Sequence, residues 1–181
     1  MARLRHYLKN IACLESIWDE DLENRRNVLP VLELTSRATG AKFIYLTCNT
    51  KPELRHNLEL LRKRKSYGIL LLSFHGDPGG IELAGAHVKL ESLAWMMRKH
   101  FAGWVVHFAS CSTVKIDEEP MAKFVHLTGV AMVMGYTEEV DWTEGSVMDL
   151  LLLSRLQYYR NVRSLWKHLE KKYRDLVKMT G

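Results

Sequence analysis

Cysteine is scarce in this sequence, and what there is cannot build a scaffold. Cys13, Cys48 and Cys111 are the three in 181 residues, and they stand far apart, which excludes a disulfide framework. No CxxC pair and no HExxH motif occurs, and the eight histidines do not cluster, so neither a metal centre nor a cofactor is expected. Long apolar runs are missing too. The densest, Val147 to Leu153, is interrupted by Asp149 and is too short to cross a bilayer. The basic start (Arg3, Arg5, Lys9) leads into an apolar run that ends at Glu15 without a small-residue cleavage site. A signal peptide is therefore not expected, and a cytoplasmic location is. No GxSxG elbow appears, which sets serine hydrolysis aside.

With 47% hydrophobic residues, the chain can bury one sizeable core, and a single domain over 1–181 is expected. Apolar runs alternate with amphipathic stretches nearly end to end. Tyr7 to Leu14, Ala41 to Cys48, Tyr67 to Phe74, Trp104 to Ala109 and Val130 to Met134 read as strands, several of them buried on both faces. Between them, Asn27 is a candidate cap for a helix that ends at Gly40, and Thr50 with Glu53 forms a capping-box pattern for a helix running to about Lys65. Gly79 to Leu90 reads as a hairpin turning near Gly85. A helical stripe from Leu90 to Phe101 follows, and Gly103 ends it. Later helices are expected around Glu118 to His126, around Val147 to Leu151, and as one final helix from Asn161 through Leu176. This alternation predicts an α/β fold: a mostly parallel sheet with helices on both faces and a small hairpin after the third strand.

In such a sheet, ligands bind at the carboxyl ends of the strands. Two strand ends carry reactive side chains. The third strand ends in Phe74-His75-Gly76 and the fourth in Ala109-Ser110-Cys111-Ser112. If the two are neighbours, spaced roughly 4.8 Å apart, an imidazole and a thiol meet at one edge. His107 precedes Cys111 on the same strand by four residues, about 13 Å away at 3.3 Å per residue, so it reads as a packed strand residue. His126, on the following helix, stays open as an alternative base. Cys13 and Cys48 lie inside strands and read as core.

These motifs resemble the caspase-like peptidases, a group that includes caspases, metacaspases, legumain, gingipains and the bacterial CHAT proteins. FHGDPGG at 74 to 80 and HFASCST at 107 to 113 match the family's two strand-end signatures, in order, with a hairpin and helix between them. The trio FHG, SCST and GYTEEVDW is also similar to a bacterial family of stand-alone proteins of this size. The resemblance implies a three-layer caspase-like fold and a cysteine endopeptidase. Cys111 would attack the scissile carbonyl, His75 would protonate the leaving amine, and the backbone N–H groups of Gly76 and Cys111 would form the oxyanion hole. Family members build their first specificity pocket from loops after the first, third, fourth and fifth strands. Here those loops offer Glu15, Glu138, Glu139 and Asp141, which would favour cleavage after Arg or Lys. Only six residues separate Cys111 from the next helix, so cleavage into two subunits at that point is not expected. A regulatory protein partner or a mobile loop would then control activity.

Three other readings have something in the sequence. A catalytically silent, caspase-shaped interaction domain would keep both motifs without turnover. A nucleotide-binding α/β module would use GDPGG as a phosphate cradle, but that needs a helix directly behind it, and the Walker A lysine is missing. Nucleic-acid binding would use the net charge of +5, the Arg62-Lys63-Arg64-Lys65 run and the basic face of the last helix. Such faces are usually just solvated, and no aromatic residues interleave with them in the sequence.

Overall fold

Each apolar run becomes a strand whose successive side chains feed two different cores. The computed structural model describes residues 9–19, 21, 23 and 26–180. Its elements in chain order begin with β1 (Asn10–Glu15), α1 (Leu29–Thr39), β2 (Phe43–Thr47), α2 (Lys51–Leu61) and β3 (Tyr67–Ser73). A short antiparallel unit follows: β4 (His75–Asp77), β5 (Gly80–Leu83) and β6 (Ala86–Lys89). The remainder is α3 (Leu90–Met97), β7 (Val105–Phe108), α4 (Glu118–Thr128), β8 (Met132–Gly135), α5 (Trp142–Leu156), α6 (Val162–Lys172) and α7 (Arg174–Thr180).

Five strands make one parallel sheet in the order β2-β1-β3-β7-β8. The two-residue period of a strand splits its side chains between the layers. Ala12, Leu14, Leu70, Leu72 and Val106 pack with Leu54, Leu58, Leu93 and Phe124 beneath α2, α3 and α4. Ile11, Cys13, Ile69, Leu71 and Val105 pack with Leu32, Leu152, Leu153 and Leu165 beneath α1, α5 and α6. The expected three-layer α/β arrangement is therefore found. Among the described residues, no helix is long and apolar enough to cross a membrane.

Several boundaries differ from the expectation for physical reasons. The capping box is present, with Thr50 Oγ1 accepting from Glu53 N and Glu53 Oε2 accepting from Thr50 N, but α2 ends at Leu61, short of the basic run. Val28 occupies the N-cap position of α1 without a side-chain capping bond. Asn27 lies one residue earlier and accepts from the Leu29 N–H. α3 stops at Met97, and the buried Phe101 belongs to the turn behind it, edge-on to Trp104. The last helix is two helices, broken at Tyr173, while Asn161 does cap the first of them. The first strand begins at Asn10, and Tyr7 and Leu8 lie outside the described residues. The hairpin after the third strand is also larger than expected, because His75–Asp77 pairs with it as a third strand.

Candidate active site

β3 and β7 are hydrogen-bonded neighbours running in the same direction, so their carboxyl ends open on the same edge. Two residues past the end of β3 the chain leaves the sheet, anchored by the buried Phe74, and His75 stands exposed. Beyond the end of β7 the chain turns through Ser110–Val114, with Cys111 half-buried in the turn. His75 and Cys111 line two adjoining clefts. One, of about 170 Å³, is walled by Trp18, Ser73, Ser110, Tyr136, Asp141 and Asp149. The other, of about 660 Å³, is walled by Gly76, Asp77, Ser112 and Glu139. The imidazole and the thiol sit on the divide between them.

The loop after β1 holds the imidazole. His75 Nε2 lies 2.7 Å from the Trp18 carbonyl oxygen, and the two rings meet edge to face at 4.9 Å. A carbonyl only accepts, so Nε2 carries the hydrogen and Nδ1 is the nitrogen left to exchange a proton. Trp18 has no counterpart among the residues expected from the sequence. The only hint was an aromatic residue stranded in an acidic loop.

Gly76 locks the two rims together. A Cβ there would fall 2.2 Å from Thr113 Oγ1, 2.6 Å from the Cys111 carbonyl oxygen and 2.9 Å from Ser110 Cβ. Only glycine lets β4 lie this close to the turn that carries Cys111. Further bonds hold the same junction: Gly79 N–H to Thr113 O at 3.2 Å, and Thr113 Oγ1 to Gly80 O at 2.9 Å.

Around Cys111 the backbone is under local strain. Ser112 has φ of +54°, a left-handed conformation that costs a non-glycine residue about 1 kcal/mol. The Ser112 N–H donates to Glu138 O at 3.2 Å, and Lys115 N–H closes the turn onto Ser112 O at 2.9 Å. The Val140 N–H points at Cys111 Sγ from 3.4 Å, a backbone donor that no side-chain pattern announces. Among the described residues the Cys111 N–H donates to nothing. The other two thiols are fully enclosed. Burial drives Cys13 well above the usual thiol range, and burial with the nearby Glu53 charge pushes Cys48 up to about 12.

The expected acidic residues separate into two groups. Glu15 is 2% exposed and accepts from Trp18 Nε1 (2.6 Å), Val28 N (2.9 Å), Tyr45 OH (2.5 Å) and Ser73 Oγ (3.2 Å). It ties the loop after β1 to the sheet and does not line either cleft. Burial raises its carboxyl above the usual range, opposed by those four hydrogen bonds. Glu138 faces Lys115 at 3.0 Å and is likewise outside both clefts. Glu139 and Asp141 do reach the site. Glu139 lines the larger cleft, and Asp141 lines both while capping α5 through the Thr143 and Glu144 N–H groups. Those bonds hold the Asp141 carboxyl below its ordinary value.

A further carboxylate, absent from the expected set, sits at the base of the smaller cleft. Asp149 is buried, and Oδ1 is bonded to His107 Nε2 at 2.6 Å and to the Tyr136 hydroxyl. Both contacts fall on the same oxygen. Burial and the Asp149 charge push the Tyr136 hydroxyl far above its ordinary range. His107 is fully buried, as expected of a packed strand residue. His126 is exposed on α4 and lines neither cleft. The segment after GDPGG is the strand β5, without the helix a phosphate loop needs.

One family of unknown function, DUF6642, matches the chain over residues 8–181. No curated protein matches it.

Proposed function

We propose that this chain, which belongs to the DUF6642 family, is a cysteine endopeptidase of caspase-like type working through a Cys111–His75 dyad. The observation that carries the reading is the shared position of His75 and Cys111 on the divide between two clefts, at the carboxyl edge of adjacent strands. A peptide laid across both clefts presents its scissile carbonyl to Cys111 Sγ. As sulfur attacks, His75 Nδ1 takes the thiol proton, and as the C–N bond breaks it delivers that proton to the departing amine, while Trp18 O holds the ring from its other side. Water then hydrolyses the thioester and regenerates the thiol.

The open N–H of Cys111 supports an oxyanion hole at that residue, with the Gly76 N–H as its partner. One such donor is typically worth about 3 kcal/mol in the transition state. The smaller cleft has Asp149 at its base and Asp141 on its wall, with the exposed Arg26 on its rim. Two carboxylates favour a basic side chain there, so cleavage follows Arg or Lys. Three free cysteines suit a reducing compartment, in keeping with action in the cytoplasm.

The test is a panel of fluorogenic peptides that differ only in the residue before the cleaved bond. Turnover highest after Arg or Lys, and absent in Cys111→Ala, supports the proposal. Preference for Asp would overturn the specificity. No turnover by any peptide, from a protein that also fails to react with thiol-directed electrophiles, would leave a silent caspase-shaped interaction domain.

A further inference from the structure

A third groove, of about 710 Å³, runs between α2 and α3 and shares no lining residue with the two clefts at Cys111. Lys51, Arg55, Glu59 and Arg62 recur along it at i, i+4, i+8 and i+11, a single helical face about 16 Å long at 1.5 Å per residue. Across from them stand Trp95, Arg98 and His100. The groove thus collects four fixed cations against one carboxylate, Glu59. Among the described residues, none of Lys51, Arg55, Arg62 or Arg98 is paired with an acidic side chain. Lys63, Arg64 and Lys65 extend the positive charge just past the helix end.

A merely solvated basic face has no use for an exposed indole, and this groove holds one. Trp95 is 53% exposed, with the Arg98 guanidinium over its ring at 4.8 Å. Arg62 donates to His100 Nε2 at 2.7 Å, which ties the end of α2 to the turn behind α3 and fixes the width of the groove. An aromatic platform flanked by unpaired cations is the arrangement that binds unpaired bases and their phosphates together. We propose that this groove binds single-stranded nucleic acid, with phosphates along Lys51, Arg55, Arg62 and Arg98 and a base stacked on Trp95. A duplex keeps its bases paired and offers the indole nothing to stack on. This surface is independent of the peptidase reading.

Fluorescence anisotropy of a labelled dT12 strand tests the proposal. With four phosphate contacts at about 0.7 each, the log–log salt slope is close to −3. Replacing Arg55 and Arg62 with Ala lowers the slope by about 1.4. Trp95→Ala weakens binding roughly tenfold, and Trp95→Phe recovers most of that loss. An abasic strand of equal length binds wild type as weakly as dT12 binds Trp95→Ala, a rU12 strand binds like dT12, and a 12-bp duplex binds more weakly. Cys111→Ala binds like wild type, which separates this site from the peptidase centre. No retention of dT12 at about 50 mM salt would overturn the proposal. So would equal binding of dT12 and the abasic strand, or wild-type affinity in Trp95→Ala, since each describes a surface for polyanions in general.

Discussion

His107 lies on β7 and His75 just past the end of its neighbour β3, yet they live in opposite environments. His107 sits within β7 opposite Leu71 of β3, four residues before His75 in that strand's direction. Helices cover that level of the sheet. Its ring is fully buried, fixed by Asp149 and edge-on to Tyr136 at 5.6 Å, and among the described residues Nδ1 has no hydrogen-bond partner. His75 has run past the end of the sheet into the open. Its Nε2–H is held by a carbonyl, so the other nitrogen stays available. A few residues of strand length therefore separate a histidine packed into the core from one that stands exposed beside both clefts.

Removing the reactive groups on the rim gives the largest contrast. Cys111→Ala abolishes peptidase turnover, and His75→Ala lowers kcat by about 10²- to 10⁴-fold. Urea unfolding of His75→Ala stays within about 0.5 kcal/mol of wild type, because the side chain is exposed. His107→Ala behaves in the reverse way. It leaves the buried Asp149 with the Tyr136 hydroxyl alone on Oδ1 and opens a cavity, so it loses about 3 kcal/mol of stability in the same titration. A stable His107→Ala with abolished turnover would exchange the roles assigned to the two imidazoles.

Gly76→Ala sharpens the comparison from the junction between the rims. Its Cβ meets the Cys111 carbonyl oxygen, so the expected cost is about 2 kcal/mol, together with a fall in kcat. Wild-type stability and turnover would mean that the rims are not locked there. Asp149→Asn keeps the shape of the His107 contact and removes the charge. The preference for Arg over a neutral residue should then fall about tenfold, equivalent to about 1.4 kcal/mol, measured as a ratio of kcat/KM values. An unchanged ratio would take Asp149 out of the specificity pocket.

The smallest effect is a pH dependence. Glu15 has its carboxyl raised above the ordinary 4.5, with burial as the leading cause. The folded state therefore binds that proton more tightly than the unfolded state. As pH falls through the raised value towards 4.5, wild type gains stability relative to Glu15→Gln, and it loses that increment as pH rises again. Paired unfolding titrations across this window read the sign, and a wild type that loses ground on acidification would contradict it.

The layered sheet was legible because five apolar runs, bounded by Gly and polar turns, can only become buried strands. The placing of His75 and Cys111 beside the same clefts was legible because His75 directly follows such a run and Cys111 stands two residues past another. Much of what completes the site left no such mark. Val140 acts through its backbone N–H, and Trp18 through its carbonyl, so neither side chain identifies the contact. Glu15 looked like a free acid at a strand end, but four donors converge on it from segments far apart in sequence. Asp149 did leave a signal. A lone carboxylate inside the apolar Val147 to Leu153 run must find buried partners, and His107 with Tyr136 supplies them. Trp95 shows the limit of reading along one element. The aromatic residue that accompanies the basic face of α2 comes from α3.

Intact-mass analysis after treatment with an arginyl chloromethylketone tests the shared rim most directly. Wild type should gain one adduct, Cys111→Ala none, and His75→Ala a slower one. Labelling that persists in Cys111→Ala, or a wild type that stays unmodified while an unrelated thiol reagent reaches Cys111, would contradict the proposed pairing of sulfur, imidazole and basic side-chain pocket.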